Sequence, residues 1–460
     1  MTVMRRKTQC ELALTSGVEG EAFEPAARDE TVIVKQDTES PAETECLMEE
    51  VCERENLLQA YKQVLSNKGS PGIDGMRVED LEGYLQHHWQ DIKEQLLSDK
   101  YRPQPVKRVE IPKPNGGVRK LGIPTVLDRF IQQALMQVLQ KRWDKTFSEH
   151  SYGFRPGRSA HQAVRQAQKY IAEGNNWVVD IDLEKFFDRV NHDILMSRIA
   201  KRVKDKRVLR LIRRFLTAGV LEGGLVSPST EGTPQGGPLS PLLSNLLLDD
   251  LDKELERRGH RFVRYADDCN IYVRSQRAGE RVMASIGKFL TGKLKLKINQ
   301  TKSAVAKPQQ RKFLGFSFTG GKQPKVRISP ESIHRFKERI RGLTSRSCGK
   351  SVSHIVEDLS GYLKGWRGYF GKCDTPSVLE SLDGWIRRRL RSLIWKQWKK
   401  PQRRFAELRR RGISKDLSAR TVKSCPKPWK ASGVSALSIA FPIAYFDQLG
   451  LPRLNIQTLN

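Results

Sequence analysis

The chain has 460 residues and a formal net charge of +30, from 82 Lys+Arg against 52 Asp+Glu. That length holds two or three domains with substantial cores, and a positive excess on this scale points to a polyanionic partner such as nucleic acid. The seven scattered cysteines form no Cys-x-x-Cys pair, which speaks against a disulfide framework or zinc site, and no apolar run reaches the length of a membrane span or secretory core.

In chain order, residues 1–50 hold 5 Lys/Arg against 12 Asp/Glu, so the positive charge is concentrated downstream. Residues 1–45 have low hydrophobicity and no periodicity, and read as an acidic, disordered tail. Residues 47–66 have helical spacing, with Leu47, Val51, Leu58, Tyr61 and Leu65 on the apolar face. Pro- and Gly-rich segments over 101–124 predict strands and turns. Helices are predicted over 128–143 and 192–216, the second opening at Asp188 with Asn191-His192 as a helix start. Alternating helices and antiparallel strands give an α+β region. Beyond Phe318 the pattern becomes helical, over 330–345, 352–370 and 376–399.

The densest chemistry lies at Tyr265-Ala266-Asp267-Asp268, between the strand-like runs 261–264 and 270–273. Adjacent carboxylates repel. At a hairpin tip a divalent cation relieves that repulsion, and hard oxygen donors suit Mg²⁺. A second acidic strand, Trp177-Val178-Val179-Asp180-Ile181-Asp182, sets Asp180 and Asp182 on one face. If it lies beside the hairpin, the carboxylates converge on a site able to hold two Mg²⁺, with Mn²⁺ as a substitute, as nucleotidyl transfer requires.

An ordered series of motifs surrounds these residues: Asn67-Lys68-Gly69-Ser70-Pro71-Gly72-Ile73-Asp74-Gly75, Ile111-Pro112-Lys113-Pro114-Asn115-Gly116-Gly117-Val118-Arg119, His150-Ser151-Tyr152-Gly153-Phe154-Arg155-Pro156, Gly232-Thr233-Pro234-Gln235-Gly236-Gly237, Leu294-Lys295-Leu296-Lys297-Ile298-Asn299 with Lys302, Phe313-Leu314-Gly315-Phe316, and Gly361-Tyr362-Leu363-Lys364-Gly365-Trp366. From about residue 55 onward the chain resembles a bacterial group II intron reverse transcriptase/maturase. The resemblance implies an α+β right-hand polymerase, with fingers and palm around an antiparallel sheet, followed by an α-helical thumb/maturase domain. The implied boundaries are 46–100 for an N-terminal extension, 101–320 for fingers and palm, 325–412 for the thumb, and 413–460 for a basic C-terminal segment.

It also implies roles. Asp182, Asp267 and Asp268 are the expected catalytic metal ligands, with Asp180 in support. Phe187, five residues after Asp182, is the expected aromatic gate against a ribose 2′-OH, with Phe186 turned inward. Gln235 is expected to line the nucleotide or template pocket, its neighbouring glycines allowing close approach to a ligand. Arg119, Lys120, Arg129 and Lys302 are candidates for the dNTP triphosphate. The implied partners are group II intron RNA, a DNA target and primer, and dNTPs, with no membrane, an open oligomeric state, and a bacterial cytoplasmic or nucleoid location. The ending resembles the short, endonuclease-lacking subclass called IIC, which depends on another source of primer. Three other readings stay open: a non-catalytic RNA-binding splicing factor, an RNA-dependent RNA polymerase, and a reverse transcriptase co-opted for defence or repair.

Residues 381–430 form a second zone, with 17 Lys/Arg, 3 Asp/Glu and the tryptophans Trp385, Trp395, Trp398 and Trp429. Cations beside aromatics bind phosphates and stack on bases. Leu379, Leu382, Ile386, Leu390, Leu393 and Ile394 make an apolar stripe, so some tryptophans belong to the core. Arg387, Arg388, Arg389, Arg391, Lys399 and Lys400 are expected to face outward to nucleic acid.

Overall fold

The helices α1 (Leu47–Val51) and α2 (Arg54–Asn67) begin the order seen in a computed structural model, which describes residues 45–112, 116–222, 225–228, 231–347 and 349–455. The acidic tail read over 1–45 lies, apart from Glu45, outside the described residues, as does 456–460 of the C-terminal segment. The chain divides into two compact units, one of residues up to 163 and 179–305, the other of 164–178 and 306 onward.

In the first unit, α3 (Leu81–Leu97) precedes the strands β1 (Val106–Pro112) and β2 (Val118–Ile123), and α4 (Val126–Trp143) follows them. Thr125 caps α4 by accepting from the Asp128 N–H. The strand β3 (Trp177–Ile181) comes after α5 (Ala160–Ala172), most of which belongs to the second unit. The single helix expected over 192–216 is two, α6 (His192–Ala200) and α7 (Lys206–Thr217). The cause is Asp205, whose extended backbone and side chain, accepting from the N–H groups of Arg207 and Val208, start a new helix. The same carboxylate accepts from the Met48 N–H at 3.0 Å and so ties α1 to α7. At the other end, Asn191 caps α6 as the sequence indicates, accepting from the Ile194 N–H at 2.9 Å.

Two sheets organise this unit. One, in the order β2-β1-β4-β5, adds β4 (Val220–Glu222) and β5 (Leu225–Ser227) to the first hairpin. It is mixed rather than antiparallel throughout, because β1 runs parallel to β4, with Val106 opposite Val220. After α8 (Ser240–Arg257), the strands β6 (Arg261–Tyr265) and β7 (Asp268–Val273) pair antiparallel. With β8 (Ala304–Ala306), which follows α9 (Gln276–Phe289), they complete a second sheet in the order β6-β7-β3-β8. The buried face of α8, with Leu243, Leu246, Leu247 and Leu251, supplies much of the core. β3 therefore lies next to β7, so the two acidic segments are neighbours.

The second unit contains the short pair β9 (Phe316–Phe318) and β10 (Val326–Ile328), then the helices α10 (Pro330–Leu343), α11 (Val352–Phe370), α12 (Pro376–Gln397), α13 (Pro401–Arg410), α14 (Lys415–Ser424), α15 (Pro428–Ala431), α16 (Ser435–Ala440) and α17 (Ile443–Gln448). One apolar core joins Phe336, Leu359, Leu363, Trp366, Leu390 and Trp395 with Phe441 and Phe446. The last helices thus belong to the same packed body as the thumb-like ones.

Candidate active site

The hairpin β6–β7 closes at the pair Tyr265–Asp268, leaving Ala266 and Asp267 as a two-residue turn. Ala266 adopts φ +57°, a conformation that costs an L-residue free energy. Three neighbours hold it there. The guanidinium Nη1 of Arg264 donates to the Ala266 carbonyl at 2.8 Å and to Asn245 Oδ1 at 2.9 Å. Asn245 in turn donates to the Gly153 carbonyl at 2.8 Å. Gly153 lies against the turn so closely that a Cβ there would stand 2.3 Å from the Ala266 nitrogen. Arg264 is anchored by Asp252, to which its Nε and Nη2 donate at 2.7 and 2.5 Å, both side chains being fully buried.

Arg264, Asp252, Asn245 and Gly153 were not singled out by the sequence reading. Their signal was present: a charged residue in the middle of an apolar strand, and Asp252 within a leucine-rich helix, each demand a buried partner.

Asp182 follows β3. Its N–H donates to Ser303 Oγ at 3.0 Å, its carbonyl accepts from the Asn299 N–H at 2.8 Å, and its carboxylate stands 3.7 Å from Lys302 Nζ. Next, Lys185 at φ +48° opens a tight turn over Phe186–Asp188. This turn buries Phe186 and leaves Phe187 half-buried, with the two rings edge to face at 5.2 Å. The loop that carries Gln235 is tied to it, since Thr233 N–H donates to the Phe187 carbonyl at 2.7 Å. The glycine after Gln235 is needed for packing. At Gly236, φ +140°, a Cβ would meet the Gly122 carbonyl at 2.8 Å, and the neighbouring Gln235 carbonyl accepts from the Gly122 N–H.

These elements enclose a cleft of about 980 Å³ lined by Arg119, Lys120, Asp182, Phe187, Gln235, Asp267, Asp268 and Lys302, among others. Of the residues proposed for the metal and the dNTP, only Arg129 is not brought there. It lies on the inner side of α4, buried, and donates from Nη2 to the Ser70 carbonyl at 2.7 Å. Its role is to pin the 67–75 segment. Lys120 faces Glu110 across the β1–β2 pair at 3.9 Å.

Burial raises the Asp267 carboxyl above its ordinary range, and repulsion from Asp182 adds to this, while Arg119 and Arg264 oppose it. Burial, followed by repulsion from Asp267, Asp180 and Asp182, pushes Asp268 up to about 7. The Asp268 side chain still opens onto solvent, so the repulsion, which needs no burial, is the sturdier cause. Among the described residues no three His, Cys, Asp or Glu side chains stand at metal-ligating spacing. The donor chemistry nevertheless fits a divalent cation. The carboxylates are hard oxygen donors held close enough to repel one another, and Lys302 is the nearest cation to Asp182.

The expected outward arginines of α12 are only partly exposed. Arg387, Arg388, Arg389 and Arg391 are all half-buried. Arg391 donates to the Phe441 carbonyl at 2.9 and 3.1 Å, Arg389 to Thr344 Oγ1 at 2.7 Å, and Arg388 lies 4.5 Å from the ring centre of Trp429. Arg388, Arg389 and Arg391 fasten α12 to its neighbours, their stems packed and their heads on a ring, a hydroxyl or a carbonyl. Lys399 and Lys400 are exposed as expected, and Trp395 and Trp398 are core.

A strand-borne carboxylate cluster facing a basic β-hairpin across an open cleft defines a nucleotidyltransferase of the polymerase class. Residues 111–318 match the family described as reverse transcriptase (RNA-dependent DNA polymerase), and 333–412 match the group II intron maturase-specific domain. The protein YkfC of Escherichia coli is 33% identical over 314 residues, covering 60% of this chain and 81% of its own length. The group II intron-encoded protein LtrA of Lactococcus lactis is 30% identical over 323 residues, 56% of this chain and 54% of LtrA, so the chain spans about half the length of that relative. The chain belongs to the bacterial group II intron reverse transcriptase/maturase family, and its activity class is RNA-directed DNA polymerase. Reverse transcriptase domains work with divalent metal ions.

The tight seat of the Ala266 turn yields a prediction. Gly153→Ala drives a Cβ into the turn backbone, shifts Asp267, and lowers RNA-templated primer extension about 100-fold. The strain costs about 1–3 kcal/mol, so the thermal midpoint falls by a few degrees while circular dichroism at the assay temperature stays that of wild type, which separates misplacement from unfolding.

Proposed function

We propose that this protein binds its group II intron RNA, assists splicing, and copies the RNA into DNA from a primer 3′-OH during intron mobility, using Mg²⁺. The observation that carries the reading is the single cleft in which Asp182, Asp267 and Asp268 meet Arg119, Lys120, Phe187, Gln235 and Lys302. When bound on Asp182 and Asp267, Mg²⁺ supplies activation of the primer oxygen and neutralises the charge of the leaving pyrophosphate.

The chain's own groups do the rest. Arg119 and Lys120 on β2 hold the triphosphate from the fingers side. Lys302 exchanges its contact with Asp182 for a phosphate. The ring of Phe187, packed edge-on against Phe186, occupies the space of a ribose 2′-OH and selects deoxynucleotides. Gln235 lies at the template side of the cleft. We assign 46–100 to the N-terminal extension, 101–320 to fingers and palm, 325–412 to the thumb and 413–460 to a basic nucleic-acid-binding segment. No described helix is long and apolar enough to cross a membrane, and the site of action we propose is the bacterial cytoplasm, at the nucleoid.

The test is primer extension on a poly-A RNA template with Mg²⁺ and either dTTP or UTP. We expect extension with dTTP only, lost in Asp267→Ala, and UTP incorporation gained in Phe187→Ala. Tight RNA binding without any extension by the wild type would instead support a non-catalytic splicing factor.

The raised carboxyl of Asp268 gives a pH dependence whose sign is fixed. Below about 7 the group holds a proton that a cation must displace; above it the carboxylate is ready. The Mg²⁺ concentration for half-maximal extension therefore falls about tenfold between pH 6 and pH 8 and levels off beyond. Asp268→Asn removes that dependence.

A further inference from the structure

A cavity of about 250 Å³ lies within the helical unit, between the end of α10, the middle of α12 and α15. Its wall carries Arg341, Arg346 and Arg389 and no carboxylate. Arg341 shares its charge with Glu338. Arg389 donates to the Thr344 hydroxyl at 2.7 Å and to the Thr344 carbonyl at 3.3 Å, neither of which neutralises it. Arg346 is exposed and has no hydrogen bond or ion pair among the described residues. Two indoles line the same cavity, Trp385, with the Arg389 guanidinium 5.4 Å from its ring centre, and Trp429, 39% exposed. On the floor is Ser392, 2% exposed, whose hydroxyl has no hydrogen-bond partner among the described residues. A buried hydroxyl without a protein partner in a cavity wall is open to a hydrogen bond from whatever occupies the cavity.

We propose that this cavity binds one unstacked nucleotide, with the base against the indoles of Trp385 and Trp429, the phosphate on Arg346 and Arg389, and the Ser392 hydroxyl bonded to the ligand. The guanidinium groups call for an anion and the indoles for a flat ring. An acidic peptide would answer the first and not the second. The volume lies below the roughly 300–1,000 Å³ of pockets for drug-sized ligands, which suits a single nucleotide and not a helix. The proposal rests on the nucleic-acid reading above and makes it specific. The nucleotide comes either from a single-stranded stretch of bound RNA or from free solution.

The experiment uses the full chain, fluorescein-labelled single-stranded A12 RNA, the same strand with one abasic position, and AMP, with Arg346→Ala and Trp429→Ala as variants. Both side chains are exposed, and circular dichroism checks the fold. Trp429→Ala is expected to weaken A12 binding about 5- to 100-fold, the span of one lost base–aromatic stack, and to erase the preference for A12 over the abasic strand, whereas Arg346→Ala weakens both strands alike through the lost phosphate contact. That result also names the RNA strand as the source. AMP binding lost in both variants, with A12 affinity unchanged, supports the pocket and names free nucleotide as the source. Unchanged binding of both probes overturns it, as does an oligo-glutamate whose binding depends equally on Arg346 and Trp429. Wild type that binds no RNA at all would overturn the nucleic-acid reading itself.

Discussion

The ion pair between Arg264 and Asp252 is the constraint on which the active site depends. Both side chains are wholly buried, one on the edge strand β6 and the other on the leucine-rich helix α8. Burial works against each partner separately: it raises the Asp252 carboxyl, whereas the Asp252 charge raises the Arg264 guanidinium in spite of burial. The forked geometry decides for the charged pair, because two guanidinium nitrogens donate to two carboxylate oxygens. Such a pair adds little net stability over a well-packed apolar replacement, yet removing one partner costs about 3–5 kcal/mol. What it supplies here is position. The remaining guanidinium nitrogen grips the Ala266 carbonyl, and the left-handed turn delivers Asp267 to Asp182.

That arrangement explains why the cleft can be open and still well defined. The carboxylates are not assembled into a closed ligand shell. They sit at the ends of paired strands, they repel one another, and the basic groups of β2 and Lys302 line the same space. A site of this kind is completed by its substrate and ions, which suits a reaction in which charge builds on phosphate oxygens.

Much of this was legible from the sequence. The acidic hairpin and the second acidic strand follow from alternation and local chemistry, the inward Phe186 beside Phe187 follows from the family resemblance, and the structure brings seven of the eight expected metal and dNTP residues, all but Arg129, together with Gln235 in one cleft. The failures have a common physical origin. Sequence reads a positive charge as solvated, but arginine is long enough to bury its stem and bond a distant carbonyl. Arg129 does this with Ser70, Arg391 with Phe441, and Arg264 with Asp252 and Ala266. Apart from Ala266, two residues after Arg264, none of these partners is close in sequence. The break between α6 and α7 was missed for a related reason, because Asp205 caps a helix and ties down α1 at once.

The most direct test of the central claim is a titration of the protein with Mn²⁺ followed by electron paramagnetic resonance, comparing wild type with Asp182→Asn and Asp267→Asn. The account predicts binding in the wild type that each single substitution weakens at least about tenfold, since the carboxylate at the end of β3 and that of the hairpin turn share the ions. Equal Mn²⁺ binding in all three proteins would contradict it, showing that the hairpin and the β3 carboxylate do not act as one site.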